Sequence, residues 1–122
     1  MDQQSKTEFG TIKIHKNVIA SIANNTIKEI PGALRIAHDF KSKITQLITK
    51  SSSAPAVKIE FDKNNEAIIN IPLVVLHGYN IPEVAAHVQE SVKSAIESTT
   101  NIVIKEINVN VKQIENREER KP

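Results

Sequence analysis

One segment limits the folds open to this chain more than any other. From Asn80 to about Thr99, the apolar residues Ile81, Val84, Ala85, Val88, Val92, Ala95 and Ile96 fall on a single helical stripe. Asn80 is a suitable N-cap, Pro82 fits the first turn, and Glu83 stands three residues after the cap, as in a capping box. Asn101 suits a left-handed C-terminal cap. A one-sided helix is stable only when another layer covers its stripe. The flanking segments have the period of strands and supply that layer. Before the helix comes Ala67 to Leu76; after it, Ile107, Val109 and Val111 alternate with Asn108, Asn110 and Lys112 in a strand from Ile102 to about Ile114. Ile102 and Ile104 have the opposite parity, which predicts a bulge near Lys105-Glu106.

The rest of the chain repeats the scheme. Ile12 and Ile14 mark a short strand, and Val18, Ile19, Ile22, Ala23, Thr26, Ile27 and Ile30 follow helical spacing until Pro31-Gly32 stops them. Leu34 and Ile36 mark another short strand. Phe40, Ile44, Leu47 and Ile48 outline a short helix, and Ser51 to Pro55 form a loop. Val57, Ile59 and Phe61 then pair with Ala67 to Leu76 as a hairpin across the turn Asp62 to Glu66. Pro72 cannot donate a ladder hydrogen bond and predicts a sheet edge or a bulge. The order β-α-β-(α)-β-β-α-β predicts an α+β two-layer sandwich, a mixed sheet with both main helices on one face and two right-handed crossovers. One domain spans 9–114. Residues 1–8 are expected to be a disordered N-terminus and 115–122 a charged flexible tail.

Function classes fall away one by one. Cysteine is absent among the 122 residues, which excludes disulfides, thiolate metal sites and a cysteine nucleophile. His15, His38, His77 and His87 include no i, i+4 pair for a metal. Three glycines leave no room for a phosphate-binding loop or a dinucleotide fingerprint, and no Gly-x-Ser-x-Gly occurs. No catalytic residue, cofactor or metal ligand is therefore assigned. The four aromatic residues, Phe9, Phe40, Phe61 and Tyr79, make no base-stacking platform. No apolar stretch is long enough to span a bilayer, and the N-terminus lacks the basic and apolar regions of a signal peptide, so the chain is expected in the cytoplasm.

The net charge is +2, weak for binding nucleic acid or membrane by electrostatics alone. It is unevenly spread. Residues 1–58 hold nine basic and four acidic side chains, a balance of +5; residues 59–122 hold seven and ten, a balance of −3. The densest positive stretch contains Arg35, Lys41, Lys43 and Lys50, a solvated face or a docking patch for an acidic partner. Glu83, Glu90 and Glu97 recur every seven residues on the long helix, as a solvated stripe or a rail for a basic partner. These seven residues are the candidate partner-binding set.

Four blocks together carry a resemblance. They are Gly10-Thr11-Ile12-Lys13-Ile14, Glu29-Ile30-Pro31-Gly32-Ala33, Gly78-Tyr79-Asn80-Ile81-Pro82-Glu83-Val84, and Val88-Gln89-Glu90-Ser91-Val92-Lys93 running to Ile107-Asn108-Val109-Asn110-Val111. In this order and spacing the chain resembles the alkaline-shock-protein family of cell-envelope stress proteins from Gram-positive bacteria and their wall-less relatives, over about residues 9–114. His15, His77 and Asn101 depart from the family's usual residues. The resemblance implies a cytoplasmic, non-enzymatic scaffold in envelope homeostasis or stress response. It implies self-association and a protein partner, in some members a membrane protein that provides attachment without direct insertion. The alternative is a small nucleic-acid-binding regulator, although neither a Gly-x-x-Gly loop nor paired strand aromatics support one.

Overall fold

The computed structural model describes residues 3–37 and 57–116. Two antiparallel strands, β1 (Gln3–Thr7) and β2 (Gly10–Ile14), form a hairpin of their own. Helix α1 (Lys16–Ile27) follows, then β3 (Ala33–Ile36), β4 (Lys58–Phe61), β5 (Ala67–Leu76), helix α2 (Ile81–Thr100) and β6 (Ile104–Glu115). The main sheet is built around β5. Strands β3 and β4 pair antiparallel with it at opposite ends of one side, and β6 runs parallel along the other. This is the expected α+β arrangement, with α1 and α2 packed on each other and on the sheet.

Alternation decides which face each strand residue serves. Ile69, Ile71, Leu73 and Val75 of β5 meet Ile19, Ala23 and Ile27 of α1 and Val84, Val88, Val92 and Ile96 of α2 in one core, each no more than 5% exposed. Asn80 caps α2 as its spacing requires: the Asn80 Oδ1 accepts from the Glu83 N–H at 3.0 Å, and Asn101 ends the helix at φ 63°. The bulge expected near Lys105-Glu106 is present, since Ala67 faces Ile104 while Ile68 faces Glu106, leaving Lys105 as the extra residue. A second extra residue, Lys112, lies between the partners of Leu73 and Val74.

Several expectations are corrected. Gln3–Thr7 is not a frayed terminus but a strand joined to β2 by a tight turn, in which the Thr7 hydroxyl donates to the Gly10 carbonyl at 3.2 Å. Its sequence Gln-Gln-Ser-Lys-Thr has no alternation of apolar and polar residues, and its pairing to β2 runs through the main chain. Strand β2 pairs with β1 and not with the main sheet, so β2, α1 and β3 do not make the expected crossover within one sheet. Helix α1 ends at Ile27, not Ile30, because Glu29 and Ile30 donate to the carbonyls three residues back and tighten the last turn. Pro72 lies in the central strand. Its carbonyl accepts from Ala37 at 2.7 Å, so its ring nitrogen also faces the side where β4 has ended at Asn70 and β3 begins at Leu73. The charged tail begins after β6, which holds Glu115. The short helix expected over Phe40–Ile48 and the Ser51–Pro55 loop lie outside the described residues.

Candidate interaction surface

Two of the sequence blocks that are far apart in the chain meet in space. Pro31-Gly32 ends the α1 connection and Gly78-Tyr79 leads into α2; hydrogen bonding from the Leu76 N–H to the Gly32 carbonyl at 2.8 Å locks the two turns side by side. Gly32 holds φ +89°, open to glycine but strained for other residues. A Cβ there would lie 2.7 Å from Tyr79 Cγ and 2.8 Å from Val84 Cγ2, so the tyrosine ring rests on bare backbone. Pro31, Leu34, Leu76, Tyr79 and the stem of Lys28 border an open recess of about 420 Å³, with Tyr79 39% exposed at its rim.

Arg35, the first residue of the candidate basic patch, is partly exposed and is engaged within the chain. Arg35 projects on the sheet face away from the helices and grips Glu115 of β6 with both guanidinium nitrogens, Nη1 to Oε1 at 3.1 Å and Nη2 to Oε2. Arg35 is opposite Val74 and Glu115 opposite Leu76, so this bridge straddles β5. Val74 and Leu76 are buried there, at 1% and 8% exposure, although they point away from the helix-side core. The hydrogen bond that Arg35 donates to Glu115 raises the Arg35 pKa, desolvation on burial opposes it next, and the Glu115 charge adds a smaller rise. Lys41, Lys43 and Lys50 lie outside the described residues.

The acidic series on α2 divides. Glu83 and Glu90 are exposed, as a solvated stripe requires. Glu97 is not part of such a stripe: its Oε2 accepts from the backbone N–H of Ile104 at 3.0 Å, with Lys93 4.0 Å from its other oxygen. Gln89, one block earlier on the helix, donates from Nε2 to the Ile107 carbonyl at 2.9 Å. Both side chains therefore act on the outer rim of β6. The orientation of that rim follows from the ladder. Ala67 donates to the Val103 carbonyl at 2.8 Å, so alternate β5 residues from Ala67 face β6, and Ile107, Val109 and Val111 turn their own N–H and C=O groups outward. Among the described residues no strand pairs with that rim.

At the β4–β5 turn, Asp62 Oδ1 accepts from the N–H groups of Asn64 and Glu66, both at 2.9 Å. Its Oδ2 is shielded from solvent without a hydrogen-bond partner and faces the Lys105 ammonium at 3.4 Å as an ion pair. The Glu66 N–H holds the Asp62 carboxyl below the usual carboxylate range, against desolvation, with help from Asn64 and Lys105. Among the described residues no three His, Asp or Glu side chains converge as a metal site, and no helix is long and apolar enough to cross a membrane.

The sequence profile of the alkaline shock protein 23 family, described by a cell envelope-related function, matches residues 4–116. The chain belongs to that family. Its function is accordingly cell envelope-related, and it has bacterial relatives. It is 29% identical to YqhY of Bacillus subtilis (strain 168) over 111 residues, covering 91% of this chain and 81% of YqhY. To YloU of the same organism it is 25% identical over 116 residues, covering 93% and 96%. Among solved structures, a MamM-CTD variant shares the fold alone, with a TM-score of 0.50 at 13% identity over 83% of this chain and 100% of that one.

Membership agrees with where the sequence blocks come together. The second and third meet at Gly32 and Tyr79, and the fourth supplies Gln89 and the strand rim on which it acts. Tyr79, Gly32 and Gln89 were not among the candidate partner-binding residues. The Pro-Gly and Gly-Tyr pairs carried a signal of their own, but Gln89 carried none, because a glutamine on an exposed helix face has no pattern that names its partner.

Proposed function

We infer that the chain is a non-enzymatic cytoplasmic scaffold of the cell envelope, acting through self-association and through a protein partner that supplies any attachment to the membrane. The observation that carries this reading is the outer rim of β6. Unpaired main-chain groups on an edge strand are a template for another chain, and proteins that do not use such an edge cover it. Here α2 ties down only Ile104 and Ile107, and among the described residues no strand pairs with Val109 and Val111 on that rim. The recess under Tyr79 supports partner binding, since it is open and sets the apolar residues Pro31, Leu34 and Leu76 beside polar surface, with Lys28 and Tyr79 at its border.

Sedimentation equilibrium of the purified chain, with and without nuclease, tests the reading. The average mass should rise above 13.6 kDa with concentration and be indifferent to nuclease. The protein should stay in the supernatant with anionic vesicles at physiological salt, because a net charge of +2 gives little attraction. A chain that stays monomeric yet binds nucleic acid with a steep salt dependence would replace this reading by the nucleic-acid-binding one.

A further inference from the structure

We propose that the β6 rim is a homodimer interface in which two copies pair antiparallel about Val109, joining their sheets into one. The proposal rests on the self-association reading above and names its surface and register. Its first support is the backbone: Ile107, Val109 and Val111 present outward N–H and C=O groups in a run of regular pairing from Glu106 to Val111, bounded by the extra residues Lys105 and Lys112.

The second support is the sequence of that run, which is complementary to its own reverse. With Val109 opposite Val109 of the second copy, Ile107 faces Val111, Asn108 faces Asn110, and Glu106 faces Lys112. Each match joins like with like in shape or opposite with opposite in charge, and the two-fold axis makes each occur twice. Shifting by two residues breaks this. Centred on Asn108, Glu106 faces Asn110 and Lys105 faces Val111; centred on Asn110, Glu106 faces Ile114 and Asn108 faces Lys112. The Asn110 register also opposes Lys105 and Glu115, but that carboxylate is already held by Arg35. Of the three, the Val109 register alone combines a carboxylate–ammonium match with Ile107 on Val111 and Asn108 on Asn110.

The hydrogen bonding also closes. Outward residues pair with outward residues, so Val109 with its copy, and Ile107 with Val111, exchange about six main-chain hydrogen bonds in all. The Ile107 carbonyl already accepts from Gln89, which comes from the helix side, and keeps a second lone pair for the partner strand. The bulges at either end limit the main-chain bonding to Ile107–Val111, with Glu106 and Lys112 as the flanking side-chain pair, and a two-fold interface consumes the edge rather than propagating along it.

Two kinds of variant test this in the full chain by sedimentation equilibrium. Val109→Pro removes an outward N–H and no bond to β5 but trims a side chain that packs against the core. Its melting should therefore fall by no more than that of Val109→Ala, while dimerisation weakens at least about tenfold only in the proline variant. Lys112→Glu places like charges opposite one another twice and should also weaken the dimer about tenfold, whereas adding Glu106→Lys should restore it. A parent chain that associates while Val109→Pro and Lys112→Glu associate equally well overturns this interface and leaves the scaffold reading standing. Failure of the double charge reversal to recover the loss overturns the register. A parent chain that stays at 13.6 kDa overturns both the interface and self-association.

Discussion

The contact between Gly32 and Tyr79 makes a demanding test of the structure. Gly32→Ala adds one methyl group, and two separate costs follow. At φ +89° an L-side chain is strained, by about 1–2 kcal/mol. The new Cβ would also sit 2.7–2.8 Å from Tyr79 Cγ and Cδ2 and from Val84 Cγ2, closer than such atoms approach, so the ring and the valine must move. Overpacking of this kind costs about 1–3 kcal/mol. The loss of glycine's freedom in the unfolded chain returns about 0.4–1 kcal/mol. The net effect should be a destabilisation of about 2–4 kcal/mol, roughly 10 °C or more in the melting midpoint for a domain of this size. Urea and thermal unfolding followed by circular dichroism measure it. Truncating the ring separates the two costs. Tyr79→Ala in the Gly32→Ala background should relieve part of the steric cost and none of the backbone cost, giving a favourable coupling energy of about 1 kcal/mol or more. A Gly32→Ala variant within about 0.5 kcal/mol of the parent, or a coupling near zero, would refute the close approach of ring and backbone.

Other substitutions probe the helix and the turns. Val88 is wholly buried mid-stripe, so Val88→Asp should cost on the order of 3 kcal/mol or more, while Glu90→Ala on the exposed face should change stability by less than about 0.5 kcal/mol; chemical unfolding of both decides the helix phase. Glu97→Ala leaves the Ile104 N–H without its acceptor and should cost about 1 kcal/mol with faster hydrogen exchange at that amide, and Glu97→Gln should recover most of both. Asp62 is held below its ordinary pKa in the folded protein, so its stabilising effect is present above the unfolded value of about 3.9 and is lost as pH falls through the folded one. The melting temperature of the parent should therefore fall more steeply below about pH 4 than that of Asp62→Asn, and parallel curves would contradict the assigned shift.

Local rules recovered what local forces decide. The cap at Asn80, the stop at Asn101 and the stripe of α2 each follow from a few neighbouring residues, and the parity change between Ile104 and Ile107 forced a bulge. The failures share a cause too. Gln3–Thr7 carries no apolar alternation in its sequence, and its pairing uses backbone groups that every residue has. Arg35 looked like part of a basic cluster because Lys41 follows it, but its partner Glu115 is 80 residues away and reaches it only when β3, β5 and β6 lie side by side. Pro72 argued for an edge because a single sequence cannot show that one flank of a central strand is shared by two short partners with a gap between them. Glu97 kept the seven-residue spacing of Glu83 and Glu90, yet spacing fixes an angle around the helix, not what the helix end overhangs.

That last distinction bears on the rim of β6. Helix α2 sends two polar side chains to it, and both act at its beginning, Glu97 on the Ile104 N–H and Gln89 on the Ile107 carbonyl. An edge to be blunted along its whole length would need the same treatment at Val109 and Val111, or charged residues pointing into the pairing direction. Instead the outward groups there are flanked by side chains whose order reads as its own complement. Fold stability does not require that complementarity, because the bonds from β6 to β5 use Glu106, Asn108 and Asn110, whose amides face the other way. Exchanging the charges of Glu106 and Lys112 should therefore leave monomer stability within about 0.5 kcal/mol of the parent, as for other surface substitutions, while either single reversal changes association. A double reversal that unfolds the monomer would show the pair to be structural within one chain, and the complementary order would then have no bearing on association.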